Sequence, residues 1–370
     1  MATEPTSPRV RRARASVLVL LLLGLPVLAP TRASGDDKSD PMIIAMRPGD
    51  TQLTDAPSLP MKGTGGWLEL GRVATSGRYR LIDGGSSQRE SVLQYQFSMK
   101  TRLKLDTQGK LGLSAGVFTG DGFGGGWNRF TRSGSGEEPD LFLKQLHLSA
   151  QPVAGLEIQY GGLEIAHGES TEVTGYDFDG YLMGQRGRLE SFGPLDEVSI
   201  TYAYLGDLDN PSVFDRFRRL GSPNYWQLLG RKELASGGGV SADYTNVSGE
   251  ETLRQAVRLP LPDRSQLDTV QLEVYERLPP EAGFGFGLYS QKKLHPAITL
   301  GGGYARIDRN GLNSDRFPRG NRIYGTLLVA VHRAFGLSVF LSRRIGAVET
   351  SENRTRLDVA LSYDLLAATK

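Results

Sequence analysis

The sequence predicts an all-β protein, a transmembrane antiparallel up-and-down β-barrel of about 16 strands, with a range of roughly 14–18. Three observations predict this fold. Apolar and polar residues alternate over long stretches, long and short connections alternate along the chain, and the N-terminus resembles an export signal. No later stretch is apolar over the roughly 20 residues that a membrane-spanning helix needs.

The alternation is clearest in residues 91–106. Its odd positions carry Leu93, Tyr95, Phe97, Met99, Thr101, Leu103 and Leu105, and its even positions carry Gln94, Gln96, Ser98, Lys100, Arg102 and Lys104. Successive side chains of a strand point to opposite faces, so this strand has one apolar face and one polar face. The same pattern recurs in residues 355–365. Long strands of this kind are typical of a barrel with lipid outside and water inside.

Residues 1–33 are predicted to be a secretory signal peptide that is cleaved near Ala33. A basic segment with arginines from Arg9 to Arg14 precedes a short apolar run, from Val17 to Ala29, and small residues follow. The alternative is an N-terminal membrane anchor, but this apolar run is shorter than a spanning helix requires. We therefore expect export across the inner membrane.

Charge and cysteine content exclude several other classes of protein. Removing residues 1–33 removes five of the 43 basic and one of the 41 acidic side chains, so the net charge changes from +2 to −2. Such a chain has no strong general attraction to nucleic acid. The absence of cysteine excludes a disulfide scaffold and thiolate metal sites, and we expect no metal and no cofactor.

The exported chain divides into two regions. Residues 34–65 are predicted to be a flexible periplasmic lead-in, and residues 66–370 to be the barrel. The predicted strands lie near 66–74, 91–106, 110–119, 140–151, 155–166, 184–191, 197–205, 224–234, 239–247, 251–259, 266–277, 282–291, 296–307, 321–333, 335–344 and 354–366.

The connections between these strands give an independent argument. Long connections are predicted at 75–90, 120–139, 167–183, 206–223, 308–320 and 345–353, and tight ones at 107–109, 152–154, 192–196, 235–238 and 333–334. Outer-membrane barrels have short periplasmic turns and long extracellular loops. The alternation therefore predicts long loops outside and both chain ends on the periplasmic side. Both kinds of connection are short within 248–295.

Aromatic residues on the apolar face cluster near the predicted strand ends. Tyr95, Tyr204, Trp226 and Tyr304 lie near extracellular ends, and Phe335 and Tyr363 lie near periplasmic ends. Rings of this kind prefer the level of the lipid headgroups. The alternative is the ordinary preference of strands for aromatic residues.

Together these features mean that residues 66–370 resemble bacterial outer-membrane porin-like β-barrel proteins. The resemblance rests on the signal, the alternating strands, the loop lengths and the closing amphipathic strand. It implies a location in the bacterial outer membrane. It also implies outer-membrane lipids, the barrel-assembly machinery and small hydrophilic solutes as partners, a homotrimer, and no nucleic acid.

The polar faces of the strands are rich in basic residues. The candidate pore-lining residues are Lys100, Arg102, Lys104, Arg186, Arg188, Arg254, Arg258 and Arg356. Alternate residues on a strand lie about 7 Å apart, so each set forms a ladder that would attract anions. The alternative is that these groups pair across strands with Glu157, Glu190, Glu273, Asp358 and Asp364 and only stiffen the wall.

The segment 167–180 concentrates four carboxylates, Glu169, Glu172, Asp177 and Asp179. Folded inward, it would face the basic ladders and create a transverse field across a constriction. A calcium site at Asp177 and Asp179 is a second interpretation, since calcium prefers carboxylate oxygens. An ordinary solvated surface loop is a third.

One pair suggests a catalytic alternative. His147 and Ser149 lie on the same face of a predicted strand, as in outer-membrane lipid hydrolases, and a base beside a hydroxyl is what nucleophilic catalysis requires. Their parity places them on the lumen side, where they are also ordinary polar wall residues.

These observations predict a porin-like channel for the diffusion of small hydrophilic solutes, with a preference for anions, and not an enzyme. The first alternative is a non-channel structural, adhesion or surface-assembly barrel whose lumen is plugged by residues 34–65. The second is the lipid hydrolase that would use His147 and Ser149.

Overall fold

A computed structural model describes most of the predicted barrel. The described residues are 59–60, 66–84, 89–120, 126–130, 141–171, 173, 181–262, 265–308, 310–311, 316–346 and 354–368. All of them belong to one compact unit, Ile43–Lys370. The predicted signal peptide lies outside the described residues. Of the predicted lead-in, only Leu59–Pro60 is described, as a short strand that pairs with the first barrel strand.

Sixteen strands form the barrel. They are β1 Leu68–Gly84, β2 Glu90–Lys104, β3 Leu111–Thr119, β4 Leu141–Val153, β5 Leu156–Glu164, β6 Tyr181–Phe192, β7 Leu195–Tyr204, β8 Tyr225–Glu233, β9 Gly239–Val247, β10 Glu250–Pro260, β11 Thr269–Arg277, β12 Gly283–His295, β13 Ile298–Ile307, β14 Gly320–His332, β15 Phe335–Arg344 and β16 Arg354–Asp364. Each strand pairs antiparallel with its neighbours in the chain, and β16 pairs with β1 from Arg354↔Gly84 to Asp364↔Ala74. The sheet is therefore closed, and the predicted fold and strand number are confirmed.

The alternation of side chains decides which face points outward. In β2, Gln94, Gln96 and Ser98 are buried inside the ring, whereas Leu93 is 51% exposed on the outside. The same outward exposure is shared by Leu148, Ile158, Ile200, Leu228, Leu272, Leu288, Leu300, Ile323, Leu341 and Leu361. An apolar outside around a polar inside is the arrangement that a barrel surrounded by lipid requires.

The first strand is longer than the sequence predicted. A strand over 66–74 and a long connection over 75–90 were expected, but β1 continues to Gly84. Thr75-Ser76-Gly77 resembles a turn, and the charged Arg78 follows it. In the structure Arg78 points inward, where its Nη2 donates to Gln94 Oε1 at 2.7 Å, so the strand continues without a break.

The two ends of the barrel differ in their connections. One end, here called the long-loop end, carries 85–89, 120–140, 165–180, 205–224, 248–249, 278–282, 308–319 and 345–353, and the short-turn end carries 105–110, 154–155, 193–194, 234–238, 261–268, 296–297 and 333–334. The five-residue connections 85–89 and 278–282 and the two-residue turn at 248–249 are exceptions at the long-loop end. Ser248 and Gly249 have φ values of 52° and 92° there, as a tight hairpin turn requires.

The connection 205–224 folds back onto the outer face of the wall. It contains α1 Val213–Arg216 and a 3₁₀ turn, Phe217–Arg219. Val213 is fully buried and packs with Met183, and a Cβ added to Gly162 would lie 2.5 Å from it. Tyr204, a predicted membrane-interface residue, is covered by this connection.

Two short helices complete the described chain. In α1, Arg216 donates to the carbonyl oxygens of Gly206 and Asn210. Burial lowers the pKa of Arg216 to about 10. A second helix, α2 Leu365–Ala368, follows β16. No helix among the described residues is long and apolar enough to cross a membrane.

Three inward tyrosines lie against glycines of the adjacent strand. A Cβ added to Gly285, Gly301 or Gly303 would meet the side chain of Tyr275, Tyr289 or Tyr324, respectively. These glycines allow the rings to lie flat along the wall between β11 and β14.

We expect Gly303→Ala to lower the free energy of unfolding by about 1–3 kcal/mol, because the new methyl group overpacks this wall. Its Cβ would clash with the Leu288 carbonyl oxygen and lie 2.6 Å from the Tyr324 ring. The neighbouring Gly302→Ala is the control, since its nearest contact would be an ordinary 3.4 Å. Urea unfolding in lipid vesicles measures both variants, and equal stability would contradict the packing described here.

Candidate functional site

The interior of the barrel is filled unevenly. Near the long-loop end, inward charged side chains such as those of Arg254 and Arg356 are only 2% and 1% exposed. Near the short-turn end, those of Lys104 and Arg188 are 33% and 38% exposed. We call this more open part of the interior the vestibule.

The segment after β5 contributes to this filling. Glu169 is fully buried, and its Oε2 accepts a hydrogen bond from Arg258 Nε at 2.9 Å, while its Oε1 lies 3.4 Å from Arg231 Nε. The backbone N–H of Glu169 donates to Ser241 Oγ at 2.6 Å, and Gln271 Nε2 donates to its carbonyl oxygen. Because these partners lie on the inward faces of β8–β11, the segment lies inside the barrel.

The same segment continues along the wall. The Thr171 N–H donates to Glu273 Oε2 at 2.6 Å, and the Thr171 hydroxyl donates to Glu273 Oε1. Val173, 2% exposed, then packs among the interior aromatic rings. The other acidic residues of the predicted constriction, Glu172, Asp177 and Asp179, lie outside the described residues, so the predicted calcium alternative does as well.

An aromatic cluster occupies the interior on the side of β11–β15. Its centre is Phe317, which comes from the connection 308–319 and is fully buried. The Phe317 ring meets Tyr324 and Phe340 edge-on, with centroids 4.9 and 5.7 Å apart. The remaining members are Val173, Tyr275, Tyr289, Ala305 and Ile307. Two separate connections are therefore anchored in one apolar cluster.

Four arginines surround a single carboxylate beside this cluster. Asp358 lies 2.6 Å from Arg356, 3.2 Å from Arg80, and 3.8 Å from both Arg78 and Arg316. The Asp358 side chain is 1% exposed. The Arg78 guanidinium also lies 3.9 Å from the centroid of a Trp127 ring. This group, here called the Asp358 cluster, joins β1, β16 and two connections.

Two of the predicted pore-lining residues are thus buried against the inner face of the wall. Arg356 belongs to the Asp358 cluster, and Arg254 is 2.8 Å from Asp243. Both face inward, as their parity predicted, but neither presents a free charge to the vestibule. The sequence could not show this for Arg356, because the connection that brings Arg316 to its cluster lies outside the local strand pattern.

The other predicted basic residues mostly meet carboxylates. Lys100 is 2.5 Å from Glu164, and Lys104 is 2.7 Å from Glu69. Arg188 is 3.0 Å from Glu197 and also lies near Glu157 and Glu190. Arg186 donates to Thr201 Oγ1 and to Gln159, and Arg258 binds Glu169. Among the described residues, Arg102 makes one weak hydrogen bond, from Nη2 to the Gly109 carbonyl oxygen at 3.4 Å.

Two of the predicted cross-strand partners have other contacts as well. Glu273 binds Thr171, and Asp364 accepts a hydrogen bond from the backbone N–H of Leu366 at 2.8 Å, which caps α2. The prediction that these carboxylates pair with basic residues across strands therefore describes Glu157, Glu190 and Asp358 best.

Several interior charges were not identified from the sequence. Arg78 and Arg80 lie in the part of β1 that was predicted to be a loop, although their alternation with Tyr79 and Leu81 was a usable signal. Lys144 is fully buried and donates to the Thr119 carbonyl oxygen at 2.8 Å. It lies at a register shift between β3 and β4, where a parity argument fails.

His147 and Ser149 both face the interior and are 9% and 3% exposed. The Ser149 hydroxyl donates weakly to the Gly112 carbonyl oxygen, at 3.4 Å. Within the part of the chain that the structure describes, His147 Nδ1 is buried without a hydrogen-bond partner. The base-to-hydroxyl hydrogen bond that nucleophilic activation requires is therefore not formed between them.

A turn at the short-turn end is held by one carboxylate. Asp268 accepts hydrogen bonds from Lys292 Nζ at 2.7 Å and from the Lys293 N–H at 2.6 Å. These bonds lower the pKa of Asp268. Their contribution to stability is therefore present above the ordinary pKa of aspartate and is lost as the pH falls through the lowered value.

The barrel is similar to solved porins. The match to Salmonella typhi OmpF in complex with daunomycin has 13% identity, covers 81% of this chain and 98% of that chain, and has a TM-score of 0.55. A porin variant from Rh. blastica has 12% identity, 80% and 100% coverage, and a TM-score of 0.52. A chain from a study of asymmetric conductivity in engineered proteins has 11% identity, the same coverage and a TM-score of 0.54.

No protein-family model matches the chain, and no curated protein sequence matches it. At these identities the structural matches show a common fold. The predicted resemblance to porin-like barrels is therefore confirmed at the level of architecture.

Proposed function

We propose that the protein is an outer-membrane channel that passes small hydrophilic solutes by diffusion. This proposal rests on the segment around Glu169. The segment lies inside the closed barrel and is hydrogen-bonded to the inner face of the wall, so it narrows the polar interior. The outer face of the barrel is apolar, and charged side chains line the vestibule. Nucleophilic catalysis by His147 and Ser149 has no support in their geometry.

The proposed setting follows from the same features. The signal peptide, the barrel-assembly machinery and outer-membrane lipids would bring the chain to the bacterial outer membrane, where a homotrimer is the proposed assembly. The long-loop end would face outward, because long loops are extracellular in barrels of this class.

The proposed selectivity is a modest preference for anions. Lys100, Lys104 and Arg188 are partly exposed in the vestibule, but each lies beside a carboxylate. Paired charges attract mobile ions less than isolated charges do, so the preference should be weaker than the basic ladders alone predict. Arg102 has no carboxylate within 4.0 Å among the described residues and should contribute most.

A structural or adhesion barrel is the second candidate. It is favoured by the aromatic cluster and the Asp358 cluster, whose buried side chains occupy part of the interior near the long-loop end. Single-channel recording in planar bilayers separates the two candidates. Stepwise conductance is expected, and a folded barrel that inserts but never conducts would favour the structural role.

Replacing Lys100, Arg102 and Lys104 together with Gln should shift selectivity toward cations, because Glu69 and Glu164 lose their partners. The shift should be large at 0.01 M salt, where the Debye length is about 30 Å, and small at 1 M, where it is about 3 Å. Reversal potentials under a salt gradient measure it. Arg306→Gln is the control, since Arg306 is 55% exposed on the outer face. An unchanged reversal potential in the triple variant would contradict the proposed role of this ladder.

A further inference from the structure

The seam between the first and last strands is incomplete at the short-turn end. β16 pairs with β1 only from Arg354↔Gly84 to Asp364↔Ala74. β1 begins six residues earlier, at Leu68, and its other edge is paired with β2 there as well. Residues 68–73 therefore have one edge that β16 does not reach.

The end of β16 is set by Asp364. Its carboxylate accepts hydrogen bonds from the N–H groups of Leu366 and Ala367, at 2.8 and 3.1 Å, and so begins α2. α2 stays close to β1, but a helix has no extended backbone that could continue the ladder. An uncovered edge at 68–73 would present N–H and C=O groups that readily pair with other strands.

The short strand Leu59–Pro60 lies on this edge. Its register, Leu59↔Leu70 and Pro60↔Glu69, is antiparallel to β1, which is also the direction of β16. Only seven residues, 61–67, join this strand to β1. A tether of this length keeps the local concentration of the strand high at the edge, which favours it over any strand from another molecule.

Two features of the same region suit an edge that must not attract further strands. Proline has no N–H to donate to a ladder, so Pro60 offers little to a strand outside it. The register of β1 against β2 shifts between Leu70 and Arg72, which leaves Gly71 as a bulge. Prolines and bulges are among the means by which natural sheets protect their edges.

We propose that Leu59–Pro60 is a strap, which replaces the missing end of β16 and keeps the edge of β1 from pairing with other extended chains. The strap lies in the plane of the wall, so this part of the predicted lead-in does not plug the lumen. Leu59 alone of its two residues carries a backbone N–H, so the strap is held weakly and its release opens the edge at 68–73. The inference is independent of whether the barrel conducts.

Disulfide formation tests the register of the strap. The chain has no cysteine, so Leu59→Cys with Leu70→Cys introduces a single pair. Opposed residues of antiparallel strands have Cα atoms about 4.5–5.5 Å apart, which suits a disulfide. We expect this bond to form on mild oxidation of the refolded full chain in detergent micelles. Leu59→Cys with Val73→Cys is the matched control. It should not form the bond, because three more residues add roughly 10 Å.

Capture of a peptide tests the protective role of the strap. The probe is a synthetic peptide of residues 55–64 that carries Leu59→Cys, and the full chain carries Leu70→Cys. Adding Leu59→Pro to the full chain removes the N–H of the strap. It should raise disulfide capture about fivefold, since the loss of one hydrogen bond shifts a local equilibrium by about that factor. Leu59→Ala keeps the N–H and should leave capture unchanged, and a peptide of the same composition in shuffled order measures the background.

Absence of the disulfide between residues 59 and 70 in the folded chain, or equal formation of both disulfides, would overturn the register of the strap. Equal capture by the Leu59→Pro and Leu59→Ala chains, or equal capture of the ordered and shuffled peptides, would overturn its protective role. Heat-dependent gel migration reports whether each variant is folded. Both expected results in a barrel that never conducts would support the strap while contradicting the proposed channel.

Discussion

Asp358→Asn is expected to destabilise the barrel by about 3–5 kcal/mol, the cost of breaking a buried ion pair by removing one partner. Asp358 is the carboxylate that faces Arg78, Arg80, Arg316 and Arg356 in the Asp358 cluster, and its side chain is 1% exposed. An amide keeps the shape but removes the negative charge that offsets these guanidinium groups. Urea unfolding in lipid vesicles measures the loss.

Two further variants make this prediction specific. Asp308→Asn is the control, because Asp308 and Arg306 form an ion pair that is 39% and 55% exposed. Such surface pairs contribute about 0–1 kcal/mol. Adding Arg356→Met to Asp358→Asn should recover part of the stability, since it removes the nearest guanidinium. If Asp358→Asn and Asp308→Asn unfold at the same urea concentration, the cluster does not stabilise the barrel.

Leu341→Arg is expected to cost about 2–4 kcal/mol if residue 341 lies near the membrane midplane, because a charge on the lipid face of a barrel must be buried in hydrocarbon. Leu341 is 48% exposed on the outer face of β15, opposite Leu357 of β16. Ser338→Arg on the same strand is the matched control, since Ser338 faces the vestibule and the new charge would remain in water. Refolding into lipid vesicles at a series of urea concentrations compares them. A larger loss for Ser338→Arg would reverse the assignment of inner and outer faces.

Local pattern was enough to predict the strands of this barrel, because the alternation of apolar and polar residues reports directly on two faces. The exception is the C-terminal half of β1. There Arg78 and Arg80 are accommodated by Gln94 and Asp358, which are distant in sequence, so the local pattern resembled a loop.

The interior was predicted less completely, because its contacts also join residues that are distant in sequence. The inward direction of Glu169 was one of three interpretations, but its partners Arg231 and Arg258 depend on how a connection packs against strands far along the chain. The burial of Arg356 depends likewise on Arg316 and on the neighbouring connections. Parity shows which way a side chain points, and only the packed structure shows what covers it.

The connection 205–224 also limits how copies of this barrel can assemble. Because Val213 packs beside Gly162 and Met183, α1 covers part of the outer face of β4–β6. Closed rings of identical subunits require complementary surfaces that meet repeatedly around one axis. Three barrels packed side by side would meet at this level either through other strands or through α1 itself, and not directly through the wall that α1 covers.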